Sequence, residues 1–367
     1  MKKTVQMIGT VLVIALWSIL TLALWFGPRK DISTAERRPL QQMPEISINS
    51  VFGGNFMDKF EDFTLDQFPL RDRFRTLKSL FSYHIFQQKD NNGIYIEDGY
   101  AAKLEFPLNE TSVSYALKKM QFIYEEYLKE TQSNIYMTVI PDKGYYLAGE
   151  NGYPVMDYEK LMDKIYGGMS WAQRIDITGA LSISDYYRTD THWRQERLLG
   201  VAQTICKAMG AEEPRDEDYA VKFVEQPFYG VYYGQAALPM EPEKLYIMDS
   251  PLLEACRVYN YETGKYGQVY DFEKVSGSDP YDVYLSGAQA LLTIENPDAA
   301  SERELIIFRD SFGSSLAPLL MKEYKTVTLI DIRYVSSSLL EEYISFYGQD
   351  ILFAYSTLIL NSSSSLK

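Results

Sequence analysis

An aspartate two positions before a histidine, and a serine at the end of an apolar run, are the parts of a nucleophilic relay. This sequence holds both. Asp190 and His192 lie in the run Tyr186-Tyr187-Arg188-Thr189-Asp190-Thr191-His192-Trp193, in a chain with only 2 histidines. In an extended segment residues two apart face the same side, so Asp190 can orient the His192 imidazole. Well downstream, Leu305-Ile306-Ile307-Phe308 reads as a buried strand, followed by Arg309-Asp310-Ser311-Phe312-Gly313. A serine where a strand gives way to a helix occupies the usual place for a nucleophile in an open α/β sheet, beyond the carboxyl ends of the strands. Backbone amides at a helix start can also receive a developing oxyanion. The set Asp190, His192 and Ser311 predicts acyl transfer, with His192 taking the Ser311 proton and Ser311 carrying the acyl group. Alone, Ser311 reads as a helix cap; the Asp-x-His pair tips the reading towards catalysis. The other histidine, His84, has no acidic neighbour in Phe81-Ser82-Tyr83-His84-Ile85-Phe86 and reads as packed on a helix.

The elements that must position this set follow from pattern. The chain has 367 residues, 46% of them hydrophobic, enough for one large domain or two modest ones. Helix and strand signals alternate, which predicts an α/β fold with a parallel sheet flanked by helices. Helical spacing begins at Ser112 and returns at Tyr158–Arg174, with a buried strand at Ile135–Ile140 between them. The motif Asp190–Trp193 reads as the start of a further helix ending near Gly210. Residues 218–300 change to Gly, Tyr and short β-like stretches without a helix, a β-rich insertion. Alternation then resumes: strand Glu304–Phe308, helix Ser314–Tyr324, strand Thr326–Ile330, helix Ser336–Tyr347 and strand Ile351–Leu360.

The chain start predicts where this happens. Lys2 and Lys3 precede Met7–Phe26, a stretch without a charge, and about twenty helical residues span roughly 30 Å of hydrocarbon. Trp25 suits the far interface, and no small-x-small cleavage pattern ends the run. Residues 1–26 are expected to be an uncleaved transmembrane signal anchor, which predicts a single-pass cell-membrane protein with the rest extracytoplasmic. Arg29, Lys30, Arg37 and Arg38 after the span weaken the charge argument for that orientation. Residues 27–90, broken by Pro28, Pro39 and Pro44, read as a stalk and wrapping segment. Within them Phe60–Tyr83 reads as one or two amphipathic helices interrupted at Pro69. Residues 91–367 read as the catalytic domain.

A net charge of −14 argues against a nucleic-acid partner. The 2 cysteines, Cys206 and Cys256, lack metal-binding spacing, so no metal and no cofactor is expected. Their pairing is open. Most of the 30 tyrosines are expected in packing, with some free to stack on sugar rings.

Asp190-Thr191-His192-Trp193 and Arg309-Asp310-Ser311-Phe312-Gly313 resemble motifs of the DHHW proteins and their relatives, the SGNH-hydrolase-like alginate O-acetyltransferases of the bacterial envelope. Glu36-Arg37-Arg38-Pro39-Leu40, Asp66-Gln67-Phe68-Pro69-Leu70-Arg71 and Val139-Ile140-Pro141-Asp142-Lys143 look like further family elements, so the resemblance covers roughly residues 30–360. It implies a permuted SGNH arrangement, in which the Asp-x-His block precedes the serine block. Carried over, Asp190 orients, His192 is the base and Ser311 is the nucleophile. Arg309 stands where GDS-type esterases place Gly, and would either crowd the turn or offer a charge to substrate. The Ser311 amide is the expected oxyanion donor, with Asn361, ending the last strand, as the second. Arg333 reads as a substrate ligand or a surface ion pair, and Tyr232, in Phe228-Tyr229-Gly230-Val231-Tyr232-Tyr233-Gly234, as an aromatic polysaccharide contact. The resemblance implies an O-acetyltransferase or acetylesterase acting on an envelope or secreted polysaccharide. Its acetyl donor would be a polytopic membrane-bound O-acyltransferase. The alternative is a non-catalytic polysaccharide-binding or assembly protein on the same fold.

Overall fold

Strands such as Leu305-Ile306-Ile307-Phe308 are apolar on both faces, so they must lie between two covering layers. The computed structural model, which describes residues 2–367, puts them there. The chain divides into two units, residues 1–92 with 233–240, and residues 93–232 with 241–367.

The second unit is built on an 8-stranded sheet. Its strands, in chain order, are β1 (Asn134–Ile140), β2 (Gln173–Arg174), β3 (Arg257–Asn260), β4 (Lys265–Gly267), β5 (Leu291–Glu295), β6 (Glu304–Arg309), β7 (Thr326–Ile330) and β8 (Asp350–Ser356). Across the sheet they run β4-β3-β5-β7-β6-β8-β1-β2. From β7 to β2 every pairing is parallel, and β5, β3 and β4 extend the sheet antiparallel at the other edge. The expected parallel sheet is therefore the centre of a mixed one. Three short strands of the β-rich stretch 218–300, β3, β4 and β5, join it. The remainder of that stretch includes an antiparallel pair, Ala220–Phe228 with Glu243–Asp249, bulged between Val224 and Pro227.

Alternation along each strand divides the core into two layers. Leu305, Ile307, Leu352 and Ala354 point to one face, where they pack with Val201, Ala202 and Ile205 of the helix Leu199–Ala208. Ile306, Phe308, Ile351 and Phe353 point to the other, against Val113, Met120, Leu161 and Ile165 of the helices Glu110–Ile123 and Tyr158–Gly168. Phe308 and Phe353 stack across β6 and β8 with centroids 4.7 Å apart. Each such side chain contributes about 1.5–3 kcal/mol on leaving water. Cys206 and Cys256 are free and buried, and burial pushes both thiols up to about 12.

Several expected elements are shorter than their patterns suggest. The helix expected at Ser314–Tyr324 is a turn of α-helix, Gly313–Leu316, then a 3₁₀ turn, Ala317–Leu320. Pro318, which has no N–H to give, sits at that change. Ser336–Tyr347 forms only a 3₁₀ turn, Ser337–Glu342. The last strand stops at Ser356, whose hydroxyl caps a helix Thr357–Asn361 by accepting the Ile359 N–H. No helix opens at Asp190–Trp193; the one expected there begins at Leu199. Short helices at Val231–Ala236 and Pro251–Ala255 interrupt the stretch read as helix-free.

In the first unit the helix Lys2–Phe26 is followed by helices Ile48–Phe52, Asn55–Asp66 and Arg71–Leu80, the last continued by a π-helical turn Phe81–Ile85. Lys3–Phe26 is long and apolar enough to cross a membrane. Two motifs of the family resemblance meet here. Asp66 takes a bidentate pair of bonds from Arg38 at 2.8 and 2.6 Å, while Glu36 pairs with Arg71 at 2.5 Å and Arg75 at 3.2 Å. The Arg38 bond holds the Asp66 carboxyl below the usual carboxylate range. Residues 233–240 are fastened by Arg75 and Ser79, which donate to the Gly234 and Ala236 carbonyls at 2.9 and 2.8 Å. His84 lies on the π-helical turn and is exposed, not packed.

Candidate active site

The segment around His192 closes on itself before any helix can start. Tyr186 bridges Trp193, and the Tyr187 N–H donates to the His192 carbonyl at 3.1 Å. Inside that loop Asp190 Oδ1 accepts the His192 N–H at 3.0 Å and lies 2.6 Å from His192 Nδ1. On the opposite edge of the ring, His192 Nε2 lies 2.8 Å from Ser311 Oγ. With a proton on Nδ1 shared to Asp190, Nε2 is left as the acceptor for the serine hydroxyl. The structure thus brings the three residues picked from the sequence into one hydrogen-bonded line. Asp190 is fully buried, His192 is 7% exposed, and Ser311 is half-buried.

Ser311 stands on the turn after β6, at the carboxyl edge of the parallel strands. Asp310 fixes that turn: one carboxylate oxygen accepts the Phe312 N–H at 3.0 Å and the other the Ser356 N–H at the end of β8 at 2.8 Å. The Ser311 N–H has no hydrogen-bond partner among the described residues, which leaves it available beside its own hydroxyl. Gly313 is required by crowding, because a Cβ there would come 2.7 Å from the Cβ of Arg309.

Residues far away in sequence hold the imidazole. Tyr281 stacks face to face on His192 with centroids 4.0 Å apart and planes 7° from parallel, and its hydroxyl reaches Ser315 Oγ at 2.7 Å. Trp193 Nε1 donates to the same Ser315 Oγ at 2.9 Å. The second oxygen of Asp190 accepts the Val231 N–H at 2.8 Å, and the Gly230 N–H donates to Thr189 Oγ1 at 2.9 Å. None of Tyr281, Ser315 or Gly230 carries a signal in sequence that ties it to His192.

Lys143 is a further support. Its buried ammonium donates to the carbonyls of Ala101, Tyr187 (3.0 Å) and Arg188 (3.3 Å), and lies 4.9 Å from the centre of the Tyr232 ring. Burial lowers it to about 7, against the pull of Asp190, Glu243 and Asp142. An unfolded lysine keeps its proton to about 10.4. Between those values the unfolded chain binds more protons than the folded one, so this group makes stability rise with pH. In Lys143→Met that rise should be missing. Urea unfolding of both proteins at pH 7 and pH 9 checks it, the buried tyrosines cancelling in the comparison; equal slopes would mean that Lys143 stays charged throughout.

The other residues singled out from sequence lie as follows. Tyr232 is buried, its hydroxyl donating to Thr191 Oγ1 at 3.0 Å, between Asp190 and His192 in the chain. Arg309 is fully buried, so it crowds the turn and presents no charge to solvent. It donates to Ser314 Oγ and the Gln289 carbonyl and faces Asp331 at 3.8 Å. Arg333 makes an ion pair with the buried Asp331 carboxylate, at 2.9 Å from Nε and 2.6 Å from the guanidinium end. Asn361 closes a short helix and does not end a strand. Its carboxamide accepts the Asn109 N–H at 2.7 Å and donates to Glu105 at 3.0 Å and to the Pro107 carbonyl.

An α/β sheet with an Asp-x-His loop and a serine turn at its carboxyl edge is the frame expected from the family resemblance. Residues 181–330, which hold both motifs, match the family model described as DHHW protein, and the resemblance to that family is borne out. Among solved structures, a DHHW family protein from Eubacterium siraeum superposes with a TM-score of 0.59 at 19% identity, covering 75% of this chain and 94% of that one. Bacillus cereus PatB1, solved with a sulfonyl adduct, gives 0.57 at 18% identity, covering 73% and 95%. The O-acetyltransferase domain of Pseudomonas putida AlgJ gives 0.45 at 11%, covering 73% and 92%. No curated protein matches the chain.

Proposed function

We propose that this chain is a serine-dependent O-acyltransferase or acetylesterase acting on an envelope or secreted polysaccharide. The observation that carries the reading is the continuous line from Asp190 through His192 to Ser311, at 2.6 and 2.8 Å. In the first half-reaction His192 Nε2 accepts the Ser311 proton as Oγ bonds to the acyl carbon. The carbonyl electron pair moves onto oxygen, where the Ser311 N–H receives it. The pair returns, the bond to the leaving oxygen breaks, and His192 hands that oxygen the proton. In the second half a sugar hydroxyl or water loses its proton to His192 and attacks the acyl-serine by the same path. Transferase and esterase differ only in which hydroxyl attacks. The helix Lys3–Phe26 supports a membrane anchor with the catalytic unit extracytoplasmic, and an acetyl supply would then come from a polytopic membrane-bound O-acyltransferase.

A purely binding role needs no aligned hydroxyl and imidazole, so the relay favours the enzyme. The test is chemical. The detergent-solubilised full chain is incubated with p-nitrophenyl acetate, quenched, and mapped by mass spectrometry, with and without prior treatment by a sulfonyl fluoride. One acetyl group on Ser311, blocked by sulfonylation of the same residue, is the expected result. Acetylation scattered over surface lysines, with Ser311 unmodified, would overturn the proposal. Added oligosaccharides that speed release of nitrophenol and gain acetyl would assign transfer over hydrolysis.

A further inference from the structure

We infer that the helix Arg71–Leu80 and its continuation to Ile85 lie in the interface of a lipid bilayer, docked by one apolar face beside the membrane-spanning helix of the same unit. This rests on reading Lys3–Phe26 as a membrane span. Leu70, Phe74, Leu77, Phe81 and Ile85 recur three and four residues apart, which places them on one side of a helix. In a soluble protein such a stripe is normally covered. Here each of the five is exposed, Leu77 at 49%, Phe81 at 47% and Ile85 at 64%.

Charge and continuity choose the occupant. Arg73 flanks the stripe on one side and Lys78 on the other. Neither makes an ion pair among the described residues, whereas neighbouring Arg71 and Arg75 are engaged by Glu36. Free cations on both edges of an apolar face, with stems long enough to reach outward, suit lipid phosphates above a layer of acyl chains. The face also begins where the span ends. A cavity of about 670 Å³ is lined on one side by Ala23 and Gly27 and on the other by Pro69, Leu70 and Arg73. Trp25 of the span packs on Phe60 of the helix Asn55–Asp66, with ring centroids 6.1 Å apart. A second cavity, of about 520 Å³, opens beside Phe74, between Phe68 and Lys78.

The experiment uses the full chain in lipid nanodiscs, either zwitterionic or containing one third phosphatidylglycerol. Single nitroxide labels are placed at Leu12→Cys, Leu77→Cys, Phe81→Cys and Glu130→Cys; Cys206 and Cys256 are buried and do not compete for the reagent. Accessibility to oxygen against a water-soluble nickel chelate reports depth. The expected result is a deep Leu12 label, labels at 77 and 81 about 5–10 Å below the phosphates, and an aqueous label at 130. Reversing Arg73 and Lys78 to Glu should shift labels 77 and 81 towards water in the anionic discs. Labels at 77 and 81 as aqueous as 130, with 12 still deep, would overturn the inference and leave the face to a protein partner. A shallow Leu12 label would instead remove the span, and the depth of 77 and 81 would still decide the face.

Discussion

Ser311→Ala is expected to lower turnover of an activated acetyl ester by about 10⁶-fold, to the rate given by binding and backbone donors alone. No other atom in the line from Asp190 can accept the acyl group, since His192 Nδ1 is committed to Asp190 and Nε2 points at Ser311 Oγ. Because the residues act as a unit, Ser311→Ala combined with His192→Ala should be no slower than Ser311→Ala alone. Asp190→Asn should retain the fold and lose about 10⁴-fold, because an amide at Nδ1 favours the tautomer with its proton facing Ser311. Steady-state hydrolysis of p-nitrophenyl acetate, corrected for the rate in buffer without protein, measures all three. Independent, multiplicative losses would show that the residues do not work on one proton.

The second large effect is expected from a single methyl group. A Cβ at Gly230 would lie 2.3 Å from the N, Cα and Cβ atoms of Asp190, and no rotamer change relieves a collision with backbone. Gly230→Ala must push Val231 and Asp190 apart and break the 2.8 Å bond between them. Overpacking of this kind costs about 1–3 kcal/mol where side chains can yield, so at least the upper end applies. A fall in Tm of several degrees follows. Turnover should fall by 10² or more even well below Tm, as a displacement near 1 Å is enough for that. Calorimetry and single-turnover acylation at 20 °C separate the two. Unchanged acylation in a destabilised variant would show that the Asp190 loop tolerates the shift.

What was legible from sequence was what is local. Asp190 and His192 contact each other across one intervening residue, so their pairing is written in the spacing itself. Strands β6 and β8 announce themselves by apolar runs, and a serine two residues after β6 must lie at the sheet's edge. Contacts made across the chain are not written this way. Tyr281 reaches His192 from within a stretch rich in aromatic residues, where nothing distinguishes it from its neighbours. Gly230 reads as an ordinary loop glycine until Asp190 is placed against it. Asn361 reads as a strand end because Ile351–Leu360 is apolar on both sides of Ser356-Thr357. Its break at Ser356-Thr357 is a cap, and Thr357 gives its hydroxyl to Asp142 at 2.6 Å. Pro318, by contrast, was a visible stop signal that an apolar helical pattern outweighed.

In the proposed mechanism the Tyr281 ring on His192 would act on only part of the cycle. Parallel uncharged rings 4.0 Å apart contribute little beyond dispersion. Were His192 to take the serine proton, it would be a cation lying flat on a π face, an attraction of about 0.5–2 kcal/mol when water is excluded. Phe312, tilted at 5.0 Å, adds a second aromatic boundary. The stack resists rotation of the His192 ring, whose Nε2 stays aligned 2.8 Å from Ser311 Oγ. In the proposed cycle the proton would then stay on the nitrogen that faces Ser311 Oγ.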